Sequence, residues 1–262
     1  IANSNKGTVK NLEINGCTLS GGAIAYNNNG LISNVRAIDS TITYGIVRYN
    51  YDNGIMEHCY TEGTDAPMCG YNLGEINYCK NASDISSSKY DYVCGIANYS
   101  GEGTIYRCIN TGNISGKNAS GITTDLNDYG NSIVKECINK GTVKATNTAA
   151  GIAISDNRCK PTDCLNTGVV TGNSSYGISN RVALNCVNTG LIQNGKGYAV
   201  GYYDNTDCYA LNGSGLNSYS SNYDQTVFLT AQQMKQQSSF PMLDFKGTWE
   251  TTDSGIALQG LS

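Results

Sequence analysis

The chain has 262 residues, of which 31 are glycine and 32 asparagine, and only 15% are charged, against about 25% in an ordinary globular domain. The 39% of hydrophobic residues and the 19 tyrosines predict an ordered chain, because disordered segments are poor in aromatic residues. A net charge of -4 without any cluster of Lys and Arg argues against a nucleic-acid partner. No apolar run approaches the roughly 20 residues that span a bilayer, so we expect no membrane insertion.

An internal repeat runs through most of the sequence. Its first anchor, Gly-x-(Ile/Val/Met)-x-x-(Cys/Leu/Val), ends at positions 12, 35, 59, 79 and 108, and looser copies end at 137, 164, 186 and 208. A second anchor, Gly-Ile, lies half a repeat later, as at Gly121-Ile122 and Gly151-Ile152. The spacing of the first anchor ranges from 20 residues (59 to 79) to 29 residues (79 to 108).

The segments between the anchors predict the fold. They are short and β-rich, and they are separated by Asn, Gly, Ser and Asp, which form turns. A unit of this size cannot bury its own apolar side chains, but stacked units share a continuous core. We therefore predict an all-β, parallel β-helix (β-solenoid) of about eight or nine coils over residues 1–212, on the order of 40 Å long.

Stacking would place equivalent residues of successive coils in columns. Seven cysteines then form one column, in which Leu12 and Val35 also stand, and this pattern treats cysteine as a small hydrophobe. We expect these thiols to be buried and reduced, and we expect no metal site, because ligands along a line do not converge tetrahedrally. A second column of asparagines should bond its amides to the coils above and below. Its members are Asn81, Asn110, Asn139, Asn166 and Asn188.

The C-terminal segment 213–262 departs from the repeat. Thr230-Ala-Gln-Gln233 has the pattern of a capping box, and we predict a short helix from there to about Gln237. Large apolar residues follow, among them Phe240 and Trp249. We expect this segment to be a small α/β cap over the last coil, because a solenoid otherwise exposes an apolar end. Ile1 to Lys6 are too few for an equivalent cap, so we also expect the natural protein to continue before Ile1.

Two motifs together resemble a known family. The alternation of Gly-x-Ile-x-x-Cys-x-Asn-x-Gly with Gly-Ile, and the closing runs at 229–235 and 243–249, are similar to the GLUG-type repeat proteins of bacterial cell surfaces. That resemblance implies a right-handed β-helix, secretion or a location at the cell surface, and a role as an adhesin or a passive stalk. It carries no catalytic residue over, because the motif is structural.

The sequence offers no strong catalytic constellation. A β-helical polysaccharide lyase or hydrolase would need clustered carboxylates, or carboxylates that hold calcium beside a basic residue. The available Asp residues lie in Asn/Gly-rich loops, where Asp most often makes a turn. We therefore expect a protein without catalytic residues or cofactors, a monomer that acts as a binding module or a spacer, and we keep the polysaccharide-degrading enzyme as the alternative.

The three longest repeats carry extra residues on both sides of Gly-Ile, and in a solenoid such insertions emerge as loops. Repeat proteins often bind through loops of this kind. The alternative is that these loops have no function and are simply tolerated on an exposed edge. A glycan or a surface protein of a host or microbe is the partner that their aromatic and hydrogen-bonding groups suit. The candidate ligand-binding residues are Tyr99, Glu102, Asp125, Asp128, Tyr129, Asp156 and Arg158.

Overall fold

The computed structural model describes residues 2–125, 132–155, 159–193, 196–203, 205–216 and 226–261. Its first strands are β1 Ala2–Asn5, β2 Thr8–Asn15, β3 Thr18–Leu19, β4 Ala25–Asn28, β5 Leu31–Ile38, β6 Thr41–Ile42, β7 Val47–Asn50, β8 Ile55–Glu57, β9 Tyr60–Glu62, β10 Cys69–Asn72, β11 Glu75–Asn77, β12 Lys80–Asn81, β13 Ile85–Cys94, β14 Ala97–Ser100, β15 Thr104–Tyr106, β16 Ile109–Asn110 and β17 Ile114–Ser120. The later strands are β18 Thr123–Asp125, β19 Ile133–Lys135, β20 Ile138–Asn139, β21 Val143–Ala145, β22 Thr148–Ala150, β23 Ala153–Ser155, β24 Leu165–Asn166, β25 Val170–Thr171, β26 Ser174–Tyr176, β27 Val187–Asn188, β28 Ile192–Gln193, β29 Lys196–Tyr198, β30 Cys208–Leu211, β31 Thr226–Leu229, β32 Trp249–Thr252 and β33 Gly255–Leu258.

These strands form a parallel β-helix, as predicted. A first sheet contains β1, β4, β7, β10, β14, β18 and β23 in that order, so each strand pairs with its equivalent one coil away. A second sheet of 14 strands wraps the neighbouring side, and a third sheet of eight strands begins at β13. Among the described residues, every strand pairing is parallel except the C-terminal hairpin of β32 and β33. None of the described helices is long and apolar enough to cross a membrane.

Each coil turns a corner at the residue that precedes the cysteine column. Nine described residues at this position have φ between 51° and 55°, in the left-handed region that residues other than glycine rarely adopt. Their side chains are chemically diverse, but none is β-branched, in keeping with the high cost of this conformation for such residues. The nine residues are Asn11, Asn34, His58, Tyr78, Arg107, Glu136, Asp163, Asn185 and Asp207.

The core inside the coils includes the two predicted columns of apolar residues, together with other buried residues such as Ile105 and Val134. The seven cysteines of the first column are each at most 1% exposed, and the isoleucines of the Gly-Ile anchors are fully buried. Both columns belong to one hydrophobic cluster, so the rod has a continuous interior.

Truncating an isoleucine of this interior should be costly. Ile152 is 0% exposed, and we expect Ile152→Ala to lower the free energy of unfolding by about 2–5 kcal/mol, because the removed atoms leave a cavity. The matched control is Ile133→Ala, since Ile133 is 53% exposed. Urea unfolding followed by circular dichroism measures both. A loss below about 1 kcal/mol at Ile152 would mean that the anchor does not contribute to the core.

All eleven cysteines lie in the described part of the chain, and none of them is in a disulfide there. Six of the seven thiols of the column contact a backbone carbonyl of the preceding coil, for example Cys108 Sγ at 3.4 Å from Ile76 O. Outside the column, burial raises the pKa of Cys69 to about 12 and that of Cys94 to about 11, so these two thiols are poorly reactive.

A thiol titration tests this arrangement. Cys17 is the one exposed cysteine, so we expect one rapidly reacting thiol in the folded protein and eleven after unfolding in guanidinium without reductant. Finding only one reactive thiol in the unfolded chain would instead require five disulfides.

The asparagine column also has the expected geometry. Asn110 Nδ2 donates to Asn139 Oδ1 at 2.8 Å, and Asn139 Nδ2 donates to Asn166 Oδ1 at 2.7 Å. Each of these amides also bonds to the carbonyl two residues later, as Asn139 Nδ2 does to Gly141 O at 2.9 Å. A second column of asparagines, which the sequence analysis did not predict, lies at the C-terminal ends of strands of the first sheet. Its members are Asn5, Asn28, Asn50 and Asn72.

The C-terminal segment differs from the predicted cap. Strand β31 pairs in parallel with β30 and so adds one more rung to the second sheet. In place of a helix to about Gln237, two separate 3₁₀ turns span Gln233–Lys235 and Gln237–Ser239. The predicted capping box does form, with Gln233 N donating to Thr230 Oγ1 at 3.3 Å. Only Met234 of the two turns is buried, so a longer helix would have no buried face to stabilise it. Pro241 follows closely and would interrupt such a helix.

Residues 230–261 pack along the outer face of the second sheet, where Trp249, Phe240 and Leu258 form a cluster with one column of that sheet. Arg107 Nη2 also donates to the carbonyl of Gln259. The covered column consists of Ile109, Ile138, Leu165, Val187 and Tyr209. The apolar surface that this part of the segment covers is therefore lateral, and the cap over the last coil stays a prediction.

Candidate functional site

A cleft of ≈ 420 Å³ opens on the side of the rod. It lies beside the shortest repeat, where residues 63–68 run directly from β9 to β10 and form no strand on the third side of the coil. The preceding coil does form a strand there, β6, and the following coil forms the ten-residue strand β13. The cleft is therefore the gap that a short coil leaves between two longer ones.

Tyrosine rings form much of the cleft wall. Tyr49, Tyr71 and Tyr99 are in register on neighbouring strands of the first sheet. The ring centroids of Tyr49 and Tyr71 are 6.2 Å apart, and those of Tyr71 and Tyr99 are 5.8 Å apart. Tyr44 and Tyr90 complete the five tyrosines among the described lining residues. Burial raises the pKa of Tyr99, so its phenol is protonated at neutral pH and can donate a hydrogen bond.

Arg48 lies among these rings on β7. Its guanidinium carbon is 4.0 Å from the centroid of Tyr44, 4.6 Å from that of Tyr26 and 5.0 Å from that of Tyr49. Such contacts between a cation and aromatic faces are attractive and fix the guanidinium in place. Arg48 is thus a positive charge held by aromatic rings at the cleft.

The cleft also has polar lining residues. Among them are Thr41, Ser86 and Ser87, together with Asp65, whose Oδ1 accepts a hydrogen bond from Ile42 N at 2.8 Å. Beyond Asp65 an adjoining, shallower depression is lined by three further exposed carboxylates, those of Asp39, Glu62 and Asp84. We refer to these four acidic residues as the acidic ridge. Within the described residues, no group of three or more His, Cys, Asp or Glu side chains is arranged to hold a metal ion.

The predicted ligand-binding residues that the structure describes differ in their position relative to the cleft. Tyr99 lines the cleft, whereas Glu102 is exposed in the turn after β14 and is not part of the lining. Asp125 ends β18, which pairs with β14, the strand that bears Tyr99. The remaining four predicted residues lie outside the described residues. They are Asp128, Tyr129, Asp156 and Arg158.

Several lining residues were not predicted, Arg48, Tyr49 and Tyr71 among them. A signal for the two tyrosines does exist in the sequence, since each directly precedes an asparagine of the second buried column, Asn50 or Asn72. The Gly-Ile anchors directly before β7 and β14 give the register of Tyr49 and Tyr99. In the coil of Tyr71 the pattern is broken, because Met68 stands at the position of the anchor isoleucine.

Comparisons with known proteins support the fold. No family profile matches the sequence, and no curated protein matches it significantly. A solved structure with a similar fold is that of a Bacteroides ovatus protein provisionally described as an immunoglobulin A1 protease. The two chains align with a TM-score of 0.50 and 16% identity over 97% of this chain and 75% of the other. At this identity the likeness concerns the fold alone, and the resemblance to GLUG-type repeat proteins stays a prediction.

Proposed function

We propose that this protein is a non-catalytic repeat protein, secreted or at the surface of a bacterial cell, and that it binds a glycan in the tyrosine cleft. The cleft geometry is the main support. Aromatic rings with polar tips pair an apolar stacking face with hydrogen-bonding groups, which suits a sugar ring with its C–H faces and hydroxyl rim. A cleft of ≈ 420 Å³ is within the range of small-ligand sites.

The residues around the cleft support binding rather than catalysis. Hydrolysis of a glycosidic bond ordinarily uses two carboxylates on either side of it. Asp65 is the one carboxylate residue among the described residues that line the cleft, and one of its oxygens already accepts a backbone hydrogen bond. We expect no bond cleavage there.

Proteolysis, the activity in the provisional description of the Bacteroides ovatus protein, receives no support from this cleft either. A serine nucleophile is commonly activated by an adjacent histidine. The chain has one histidine, His58, and its ring stacks on Tyr78 at the outer corner of the second sheet, away from Ser86 and Ser87. The two cleft serines therefore have no histidine base.

A glycan array with the purified protein tests the proposal. We expect reproducible binding to a defined set of glycans, and we expect Tyr71→Ala combined with Tyr99→Ala to weaken it at least tenfold, about 1.4 kcal/mol, because the stacking surface is lost. The matched control is Tyr60→Ala combined with Tyr78→Ala, which removes two tyrosines from the second sheet and should leave binding unchanged.

Three results would contradict the proposal. An array without any bound glycan would favour a passive stalk, and equal binding by the cleft variant and the wild type would place the site elsewhere. Release of reducing or unsaturated sugars from a bound polysaccharide would favour the alternative of a polysaccharide-degrading enzyme.

A further inference from the structure

Arg48 has no partner in the described part of the protein that would neutralise it. No carboxylate oxygen of the described residues lies within 4.0 Å of its guanidinium, and its side chain makes no hydrogen bond to them. By contrast, Arg36, which also lies over a tyrosine ring, pairs with Glu13 at 3.7 Å. Three rings hold the charge of Arg48, and its N–H groups are available to a ligand.

The shape of the Arg48 guanidinium group indicates which chemical group of a ligand it would bind. Aromatic rings contact the faces of a guanidinium plane, whereas its hydrogen-bond donors lie at the edge. Two of these donors match the two oxygens of a carboxylate in a planar, bidentate pair. A guanidinium held in place before binding loses less side-chain entropy when such a pair forms.

The acidic ridge limits how much negative charge a ligand can carry. Asp65 lines both the cleft and the adjoining depression, and the other three carboxylates of the ridge line the depression. At physiological salt, charges interact over about 8 Å, so a ligand with a negative group on every unit would meet the ridge as well as Arg48. A ligand with one carboxylate among neutral units can place it at Arg48 and keep neutral hydroxyls near the ridge.

Resting on the proposed glycan-binding function, we propose that the glycan bound in this cleft bears an isolated carboxylate, as in a single uronic or sialic acid among neutral sugars. Arg48 binds that carboxylate, the tyrosines stack on neighbouring sugar rings, and the acidic ridge selects against polyanions. Selectivity for a single carboxylate thus comes from one cation that aromatic rings hold in place and from the carboxylates of the acidic ridge beside it.

The test uses an array of matched pairs, in which each glycan with a single carboxylate is printed beside its methyl ester, together with heparin as a polyanion. We expect the wild-type protein to bind the free acid at least about tenfold more tightly than the ester and to bind heparin more weakly than the acid. Arg48→Gln should bring the ratio of acid affinity to ester affinity to about one. Arg36→Gln is the control, because it removes the same charge from the second sheet and should leave the preference intact.

The outcomes separate this inference from the proposed function. Equal binding of acid and ester, strongest binding of heparin, or a preference that survives Arg48→Gln would overturn the carboxylate assignment and leave glycan binding in place. An array on which neither the acids nor the esters are bound would overturn both. Arg48→Lys adds a second readout, because it keeps the charge and loses the planar fork, so we expect it to retain only part of the preference.

Discussion

Replacing Asn139 by aspartate is expected to lower the free energy of unfolding by about 3–5 kcal/mol at pH 7, although the two side chains have nearly the same volume. Asn139 is 0% exposed, and its Nδ2 donates to Asn166 Oδ1 and to Gly141 O. A carboxylate has no N–H to donate, so both acceptors lose their donor and face a buried negative charge. The loss falls within the asparagine column that links successive coils.

The same variant should be less unstable in acid. Burial raises the pKa of a carboxyl at this position above its value in the unfolded chain. The penalty is therefore small below the unfolded pKa and grows as the pH rises through the folded pKa. Urea unfolding midpoints at pH 4 and pH 7 measure this. Asn53→Asp is the control, because Asn53 is exposed in a turn and its replacement should change stability by no more than about 0.5 kcal/mol. A loss at Asn139 below about 1 kcal/mol would show that the column is dispensable.

Deleting residues 230–261 is expected to make the protein aggregate. These residues cover Ile138, Leu165 and Val187, which are at most 3% exposed in the intact chain. The three are in register on consecutive strands, so the deletion would uncover one contiguous apolar stripe rather than scattered side chains. Light scattering and size-exclusion chromatography at rising concentration test this, and a truncated chain that stays soluble and monomeric would contradict it.

Two further variants separate the loss of this cover from a general failure to fold. Trp249→Ala should cost about 3–5 kcal/mol, because Trp249 is 0% exposed, whereas Met242→Ala in the same segment should have little effect, because Met242 is 58% exposed. Leu165→Lys and Val187→Lys together should restore solubility to the truncated chain. In earlier coils the same column already holds Arg36 and Lys80 on its uncovered part.

The stacked core could be predicted from the sequence because the anchor residues of the repeat are themselves core residues. Cys108 and Cys137 are alike and 29 residues apart (108 to 137), and that spacing gives the register of their strands directly. Asn110 and Asn139 follow two residues later and inherit the same register. Corner residues such as His58 and Arg107 could not be predicted in this way. Their backbone conformation is imposed by the coil, and their side chains have no type in common.

The cleft was missed for a different physical reason. We expected ligand contacts on the loops of the longest repeats, which include Tyr99, whereas the cleft forms where the shortest repeat meets the first long one. A gap depends on the difference in length between neighbouring coils and belongs to no single repeat. The lateral packing of the C-terminal segment had a readable signal, the change from Lys80 to Ile109 in one outward column. That signal appears only after the strands are aligned.

The short coil also has a consequence for how recognition in such a rod can evolve. In the connection from β9 to β10, Gly63 and Asp65 are exposed and the other residues are buried, while Cys59 and Cys79 hold the coil in the stack. Insertion of a few codons at these exposed positions would fill the cleft. A deletion in β13 between Ser87 and Tyr92, where its pairing with β17 is irregular, would widen the cleft and keep the paired residues on both sides of the irregularity. Surface connections tolerate changes of length far better than packed strands do. Ligand preference in this architecture can therefore diverge through insertions and deletions in one coil. This route needs far fewer mutations than the replacement of a binding surface residue by residue.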